Sequence, residues 1–210
     1  MAMINIQQGW IFLEEPHTAS RAVRAALAQV GGVSFNGNPH CTLAHITLVP
    51  AEQPTSIAPD CIGDYKVIAT VRNPFDWVTT KWQRSGTPRD FKFWCLDFVR
   101  RRKLKPSFGL ESTADQFLYY EHLSEDLEKT FGRDLNLGYD PTHKTSGKKP
   151  WQDYYQSEPE LVKTLMAYWL PYLQKYGYQM DASKISVAIN PDVRASMVKP
   201  VSFEHPWSQK

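Results

Sequence analysis

Cysteine is scarce in this chain. Only Cys41, Cys61 and Cys95 occur among its 210 residues, and no two of them have the C-x-x-C spacing. An odd number of thiols cannot pair completely within one chain, which argues against a disulfide framework. The simpler expectation is a reducing compartment in which the cysteines are ordinary core residues.

Neither sign of charge predominates, and long apolar runs are missing. Lys and Arg number 24 against 22 for Asp and Glu, a net charge of +2. This balance excludes a purely electrostatic nucleic-acid binder but permits a local basic pocket for a small anion. No run approaches the roughly 20 apolar residues of a membrane span, and residues 1–16 lack the basic flank and apolar centre of a signal peptide. We therefore expect a soluble, cytoplasmic protein with no membrane span and no nucleic-acid partner.

Hydrophobic side chains, in contrast, are plentiful. They make up 42% of the chain and aromatic residues make up 13%, which is enough for a packed core and excludes a mostly disordered chain. The length is typical of one domain. We expect a single domain over residues 1–210, with a core at about 9–180 and a tail at 181–210 that no pattern places.

Two strand–loop–helix units are predicted in the first half of the chain. The first has a strand at 9–13, a loop at 14–19 and a helix at 20–30 with Ser20 as N-cap. The second has a β-branched strand at 65–72. An Asn-Pro break follows that strand, and a helix begins with Asp76 as its cap. Such units predict an α/β fold with a central, mostly parallel sheet flanked by helices, and a ligand crevice at the carboxyl ends of the strands.

The second half of the chain is mainly helical by pattern. The clearest helix, at 160–176, is preceded by a Ser-Glu-Pro-Glu capping box at 157–160; Pro171 is expected to kink it and Gly177 to end it. The other predicted elements are helices at 91–101 and 124–131 and strands at 117–120 and 185–189.

The usual motifs for phosphate and metal binding are absent. The chain has no G-x-x-x-x-G-K-[ST], no G-x-G-x-x-G and no H-E-x-x-H, which argues against kinase, Rossmann dehydrogenase and zincin classes. The set His40, Cys41, His45 and Cys61 fits no structural zinc spacing, so we expect no metal. Three segments suited to anions remain, each near a predicted strand end or in a polar loop: 16–21, Arg72 with Thr79 and Thr80, and the lysine-rich 144–149.

These three segments resemble, in the same order, elements of the PAPS-dependent sulfotransferase family. Residues 11–24 are similar to the strand–loop–helix whose loop reads P-K-T-G/A-x-T-S, and residues 71–82 to the element R-N-P-Y-D-R-x-x-S-x-Y. Residues 146–155 are similar to the S-K-x-K-P-Y-x-x-Y-Y segment of carbohydrate-type members. The resemblance runs from about residue 10 to 178. It implies a P-loop nucleoside-kinase-like architecture and transfer of a sulfuryl group from PAPS to a hydroxyl or amine acceptor, such as a carbohydrate.

The resemblance also implies roles for particular residues. Arg72 and Thr80 would bind the 3′-phosphate, and Ser146 and Lys148 would close over the nucleotide. After transfer, 3′,5′-bisphosphoadenosine would be the product. The loop residues that would hold the 5′-phosphosulfate, largely through backbone N–H groups, are Pro16, His17, Thr18, Ala19, Ser20, Arg21 and Ala22.

The sequence departs from the family pattern at two positions. His17 stands where the family has the lysine that stabilises the leaving group, and a histidine with an ordinary pKa near ~6.5 would be charged to an extent that depends on pH. Trp77 stands where an arginine is usual. The acceptor also needs a general base, for which we predict His40, in a segment resembling the family's H-x-T-L, with His45 as second candidate.

Other interpretations stay open at this point. Without the family's loop lysine, the chain also fits a non-catalytic nucleotide or anion binder of the same fold. A phosphoryl-transfer enzyme with a degenerate loop would instead require Mg²⁺ and prefer ATP. A pure interaction module is a more distant possibility. Locally, Arg72 is also placed to pair with Asp76, and the basic run 100–105 has the pattern of a solvated helix end.

Overall fold

The computed structural model describes residues 2–14, 17–34, 63–101, 103, 114–137 and 149–201. The chain divides into two compact units. The first consists of Met1–Val71, Ser107–Thr142 and Met197–Lys210, and the second of Arg72–Pro106 and His143–Ser196. The expectation of a single domain over residues 1–210 stays a prediction.

The first unit contains a mixed five-stranded sheet with the strand order β3-β1-β2-β4-β5. Strand β1 pairs antiparallel with β2 and β3, whereas β2–β4 and β4–β5 are parallel pairs. The fold is thus α/β as expected, but only the half of the sheet formed by β2, β4 and β5 is parallel. The strands are β1 (Ala2–Asn5), β2 (Trp10–Leu13), β3 (Val33–Ser34), β4 (Lys66–Val71) and β5 (Gln116–Tyr119).

Two helices of the first unit pack against one face of this sheet. Helix α1 (Ser20–Ala28) buries residues such as Val23 and Leu27, which recur at helical spacing. The second is α4 (Leu123–Phe131), which joins the same core through Leu127. Between them in the chain come α2 (Pro74–Arg84) and α3 (Phe91–Arg100). The strand side chains in that core include Phe12 and Ile68.

The second unit holds α2, α3, α5 (Pro159–Lys175), a hairpin of β6 (Tyr178–Asp181) with β7 (Ser186–Ile189), and α6 (Pro191–Met197). A 3₁₀ turn, Trp151–Tyr154, precedes α5. The core of this unit is aromatic. The ring of Phe75 lies 5.5 Å from that of Tyr155 and 5.2 Å from that of Trp169, both edge-on.

Several predicted helix ends are wrong. The N-cap of α1 is Ala19 rather than Ser20. The N-cap of α2 is Asn73 rather than Asp76, since the Asn73 side chain accepts the Phe75 N–H at 3.0 Å and Pro74 is the first helical residue.

The region around α5 also differs from the prediction. No side chain caps this helix, whose N-cap is Glu158, so the predicted capping box is absent. Pro171 lies within α5, which continues to Lys175, and Gly177 follows its end with a φ of +68°. Part of the tail is now placed in β7 and α6.

Candidate functional site

The loop between β2 and α1 has an unusual backbone. His17 and Ala19 are not glycines, yet they have φ values of +66° and +63°. Left-handed conformations cost free energy for such residues, and they persist where the surrounding structure enforces them, often at functional sites. Consecutive N–H groups in a loop of this kind can converge on an anion.

Thr18 holds this loop against the sheet. Its side chain is fully buried, and its hydroxyl is hydrogen-bonded to that of Thr70, which is also buried on β4. Thr70 is two residues after Ile68, so both lie on the face of β4 that α1 covers. Because β2 and β4 are parallel neighbours, this bond fixes the loop near the carboxyl ends of both strands.

The N-terminus of α1 carries no negative charge of its own. Its N-cap residue, Ala19, makes no side-chain hydrogen bond, and its first turn contains no acidic residue. The positive end of its dipole is therefore not neutralised from within α1. The Ala22 N–H is already in use, since it donates to the carbonyl of Ala19 at 2.9 Å. The anion contacts predicted for the other residues of this loop stay a prediction.

Arg21 lies on a different face of α1 from the buried residues. It lines a cavity of about 400 Å³ together with Met3, Arg24, Ala25, Ala28, Gly32 and Ser34. Arg24 forms an ion pair with Glu14, with Nε and Oε1 3.3 Å apart. Burial raises the pKa of Glu14 above its usual value, and the charges of the chain's N-terminus and of Arg24 oppose this effect.

In the second unit, Arg72 and Thr80 contact each other directly. Arg72 Nη2 donates to Thr80 Oγ1 at 3.1 Å, and both side chains are buried. Asp76 completes the group, since its Oδ2 accepts from Arg72 Nε at 3.1 Å and from Nη2 at 2.6 Å. Asp76 and Thr80 are four residues apart on α2, so they share a helix face. The pairing of Arg72 with Asp76 that the sequence allowed is present, and so is the contact with Thr80. We call this group the arginine cluster.

Tyr172 fixes the backbone of Arg72. Its hydroxyl accepts from the Arg72 N–H at 3.3 Å and donates to the Arg72 carbonyl at 3.0 Å. The sequence analysis missed this residue. No motif marks it, because the contact joins positions 100 residues apart.

Trp77, which replaces an arginine of the family pattern, is a core residue. It is fully buried, and Lys81 Nζ lies 4.7 Å from the centroid of its ring. The positive charge that the family's arginine would supply at this position is therefore absent. The contacts of Arg72 with Asp76 and Thr80 do not depend on it.

Several predicted site residues lie outside the described part of the chain, or are described only in part. Ser20 is described by its backbone but not by its side chain. The residues outside the described ranges are Pro16, His40, His45, Ser146 and Lys148, and their roles stay predictions.

Comparison with models of protein families, with curated proteins and with solved structures finds no match for this chain. Among the described helices, none combines the length and apolar character needed to cross a membrane. Within those same ranges, no three His, Cys, Asp or Glu side chains are grouped so that they could hold a metal ion. The predicted cytoplasmic location stays a prediction.

Proposed function

We propose that this protein is a sulfotransferase that moves a sulfuryl group from PAPS to a hydroxyl or amine acceptor. The contact between Arg72 Nη2 and Thr80 Oγ1 carries the proposal. These are the two residues that the resemblance assigns to the 3′-phosphate, and they are adjacent in space although eight positions apart in the chain. Local structure sets the position of each residue, since Arg72 comes directly after β4 and Thr80 lies on the second turn of α2.

The arginine cluster has the chemistry needed to recognise a phosphate. A guanidinium donates charge-assisted hydrogen bonds to phosphate oxygens, each contributing about 1.5–3 kcal/mol. Asp76 and Thr80 restrict the orientation of this guanidinium before a ligand arrives, so less side-chain entropy is lost on binding. The Thr80 hydroxyl donates to the Asp76 carbonyl and accepts from Arg72 Nη2, so its part in the cluster is to hold the guanidinium in place.

The loop before α1 supports the other half of the proposal. The positive φ values at His17 and Ala19, together with the helix dipole of α1, favour an anion such as a 5′-phosphosulfate. In the transfer step the acceptor oxygen or nitrogen attacks sulfur, the bond from sulfur to the bridging oxygen breaks, and the bisphosphate leaves. His17 stabilises the charge on that leaving oxygen, and His40 takes the acceptor proton.

Calorimetry with 3′,5′-bisphosphoadenosine tests the binding half of the proposal. We expect it to bind more tightly than adenosine 5′-phosphate, which lacks the 3′-phosphate. Thr80→Val removes the acceptor that orients Arg72 Nη2, so it should weaken the bisphosphate by about fivefold, the equivalent of one hydrogen bond of about 1 kcal/mol, and leave adenosine 5′-phosphate unchanged.

Thr164→Val is a matched control for Thr80→Val. Both hydroxyls donate to the carbonyl four residues earlier, at 2.8 Å for Thr164 and 3.0 Å for Thr80, but Thr164 is exposed on α5. The control should bind both nucleotides like the parent protein. Equal affinity of the parent for the two nucleotides, or of Thr80→Val and the parent for the bisphosphate, would contradict the assignment.

Turnover of PAPS separates an enzyme from a non-catalytic binder. We expect transfer to at least one member of a panel of hydroxyl and amine acceptors, and a loss of about 100-fold or more in His17→Ala with bisphosphate affinity kept within a few-fold. A protein that binds the bisphosphate but consumes no PAPS with any acceptor is a binder of the alternative kind.

A further inference from the structure

The cavity beside α1 has the size of a ligand site, and none of its lining residues belongs to the arginine cluster. Its wall is formed by Arg21, Arg24, Ala25 and Ala28 of α1, by Met3 of β1, and by Gly32 and Ser34. Its volume of about 400 Å³ falls within the range of about 300–1,000 Å³ that is usual for small-molecule sites. All of these residues belong to the first unit.

The charges around this cavity favour an anion. Arg24 is held on one side by the ion pair with Glu14 and on the other by Ser34, to whose Oγ its Nη2 donates at 3.4 Å. The Glu14 carboxylate also interacts with the charge of the chain's N-terminus, so it offsets only part of the charge of Arg24. Arg21 is exposed at the cavity and adds a second positive charge. A carboxylate accepts charge-assisted hydrogen bonds from a guanidinium.

Apart from Ser34, the rest of the wall is apolar and shaped by small residues. Ala25 and Ala28 keep the α1 side of the cavity open where longer side chains would fill it. Gly32 allows close packing beneath, since a Cβ there would lie 2.7 Å from the ring of Trp10 and 2.8 Å from the carbonyl of Leu27. With Met3, these residues offer a surface for a short aliphatic group.

We propose that this cavity binds a small organic monoanion, a carboxylate attached to a short aliphatic group. Arg21 and Arg24 bind the carboxylate, and Met3, Ala25 and Ala28 contact the aliphatic part. This inference goes beyond the proposed sulfuryl transfer and assigns Arg21 a ligand other than the phosphosulfate. It does not depend on nucleotide binding.

Titration with butyrate, followed by nuclear magnetic resonance of the ¹⁵N-labelled protein, tests the site. Butyrate should shift the Arg24 Nε–H signal and the amides of Ala25 and Ala28, with a dissociation constant in the millimolar range expected for so small a ligand. Butyramide has nearly the same shape but no charge, and it should bind at least about tenfold more weakly.

Two variants test the charge and the space separately. Arg21→Gln removes one of the two arginine charges at the cavity and should weaken butyrate at least about tenfold. Lys129→Gln, which removes an exposed charge on α4, should not. Ala25→Leu leaves every charge in place but fills the cavity from an exposed helix position, so it should also abolish butyrate binding.

The outcomes that overturn the inference are distinct from those that concern the nucleotide. Equal shifts with butyrate and butyramide, no saturable shift, or unchanged binding in Ala25→Leu would each reject the cavity as a carboxylate site. Thr80→Val should leave butyrate binding unchanged. The bisphosphate assignment can therefore fail while the carboxylate assignment stands, and the carboxylate assignment can fail while the bisphosphate assignment stands.

Discussion

The hydroxyl of Tyr172 offers a sharp test of how the arginine cluster is built. This side chain is 6% exposed, and its oxygen contacts both the N–H and the carbonyl of Arg72. Tyr172→Phe removes that one oxygen and keeps the ring, which stacks on Tyr178 with an angle of 6° between the planes. We expect the variant to fold and to be less stable.

The geometry sets the size of the effect. Removing one partner of a buried hydrogen bond costs about 1–3 kcal/mol, because the remaining polar group has lost its water without a replacement. The bond to the Arg72 carbonyl, at 3.0 Å, counts in full, and the 3.3 Å bond from the Arg72 N–H is longer than usual and adds less. We therefore expect the free energy of unfolding to fall by about 2 kcal/mol.

Urea unfolding followed by tryptophan fluorescence measures this change in the free energy of unfolding of the second unit, to which Arg72 and Tyr172 belong. Five tryptophans report on the second unit: Trp77, Trp82, Trp94, Trp151 and Trp169. The midpoint should move to lower urea with an unchanged slope.

Tyr168→Phe provides the comparison on the same helix. Within the described part of the chain the Tyr168 hydroxyl has no hydrogen bond, so its loss should change the free energy by less than about 0.5 kcal/mol. If Tyr172→Phe behaved like Tyr168→Phe, the Arg72 backbone would not depend on the Tyr172 hydroxyl. The account of how that arginine is positioned would then be refuted.

Two further predictions concern the first unit. Because burial raises the pKa of Glu14 above its usual value of 4.5, the folded protein binds more protons than the unfolded protein between that value and the raised one. The free energy of unfolding should therefore fall as pH rises through this window. Glu14→Gln should remove this dependence on pH, whereas Glu128→Gln, at an exposed position, should keep it. Urea midpoints at several pH values measure the effect. Gly32→Ala should destabilise the protein by about 1–3 kcal/mol, because the added Cβ would contact the ring of Trp10. Gly63→Ala should have little effect, since no atom of the described residues lies within 4 Å of the added Cβ. Equal urea midpoints for these two variants would contradict the packing argument.

The strands that the sequence revealed are those whose composition is locally distinctive. The β-branched and apolar residues of β4 predicted a strand close to its observed bounds, Lys66–Val71. Strand β1 was missed, because Ala2–Asn5 is short and carries little β-branched character. Its place in the sheet comes from pairing with β2 and from the Asn5 side chain, which donates to the carbonyl of Val30 at 2.7 Å. The sheet is mixed because of this strand, which propensity alone did not indicate.

The residues of the candidate site also fall into those that local sequence predicts and those that it does not. Arg72, Asp76 and Thr80 are spaced so that a strand end and one helix face bring them together, and the sequence analysis named all three. Tyr172 and the cavity beside α1 depend on tertiary packing between distant segments, for which a single sequence holds no local signal.

Arg72 has two interpretations, as the partner of Asp76 in an ion pair and as the proposed ligand of a 3′-phosphate. The contacts of Asp76 show that these two roles are compatible. A carboxylate at 2.6 Å from Nη2 balances the charge of the guanidinium, which by itself would weaken the attraction of a phosphate. The same carboxylate also engages Nε, so it fixes the plane of the guanidinium as well as its charge. A buried arginine without such a partner would be costly to place in the core before any ligand bound. The ion pair is therefore what allows Arg72 to be kept buried and oriented. A structural role for Asp76 is a condition of the binding role proposed for Arg72 rather than a rival to it.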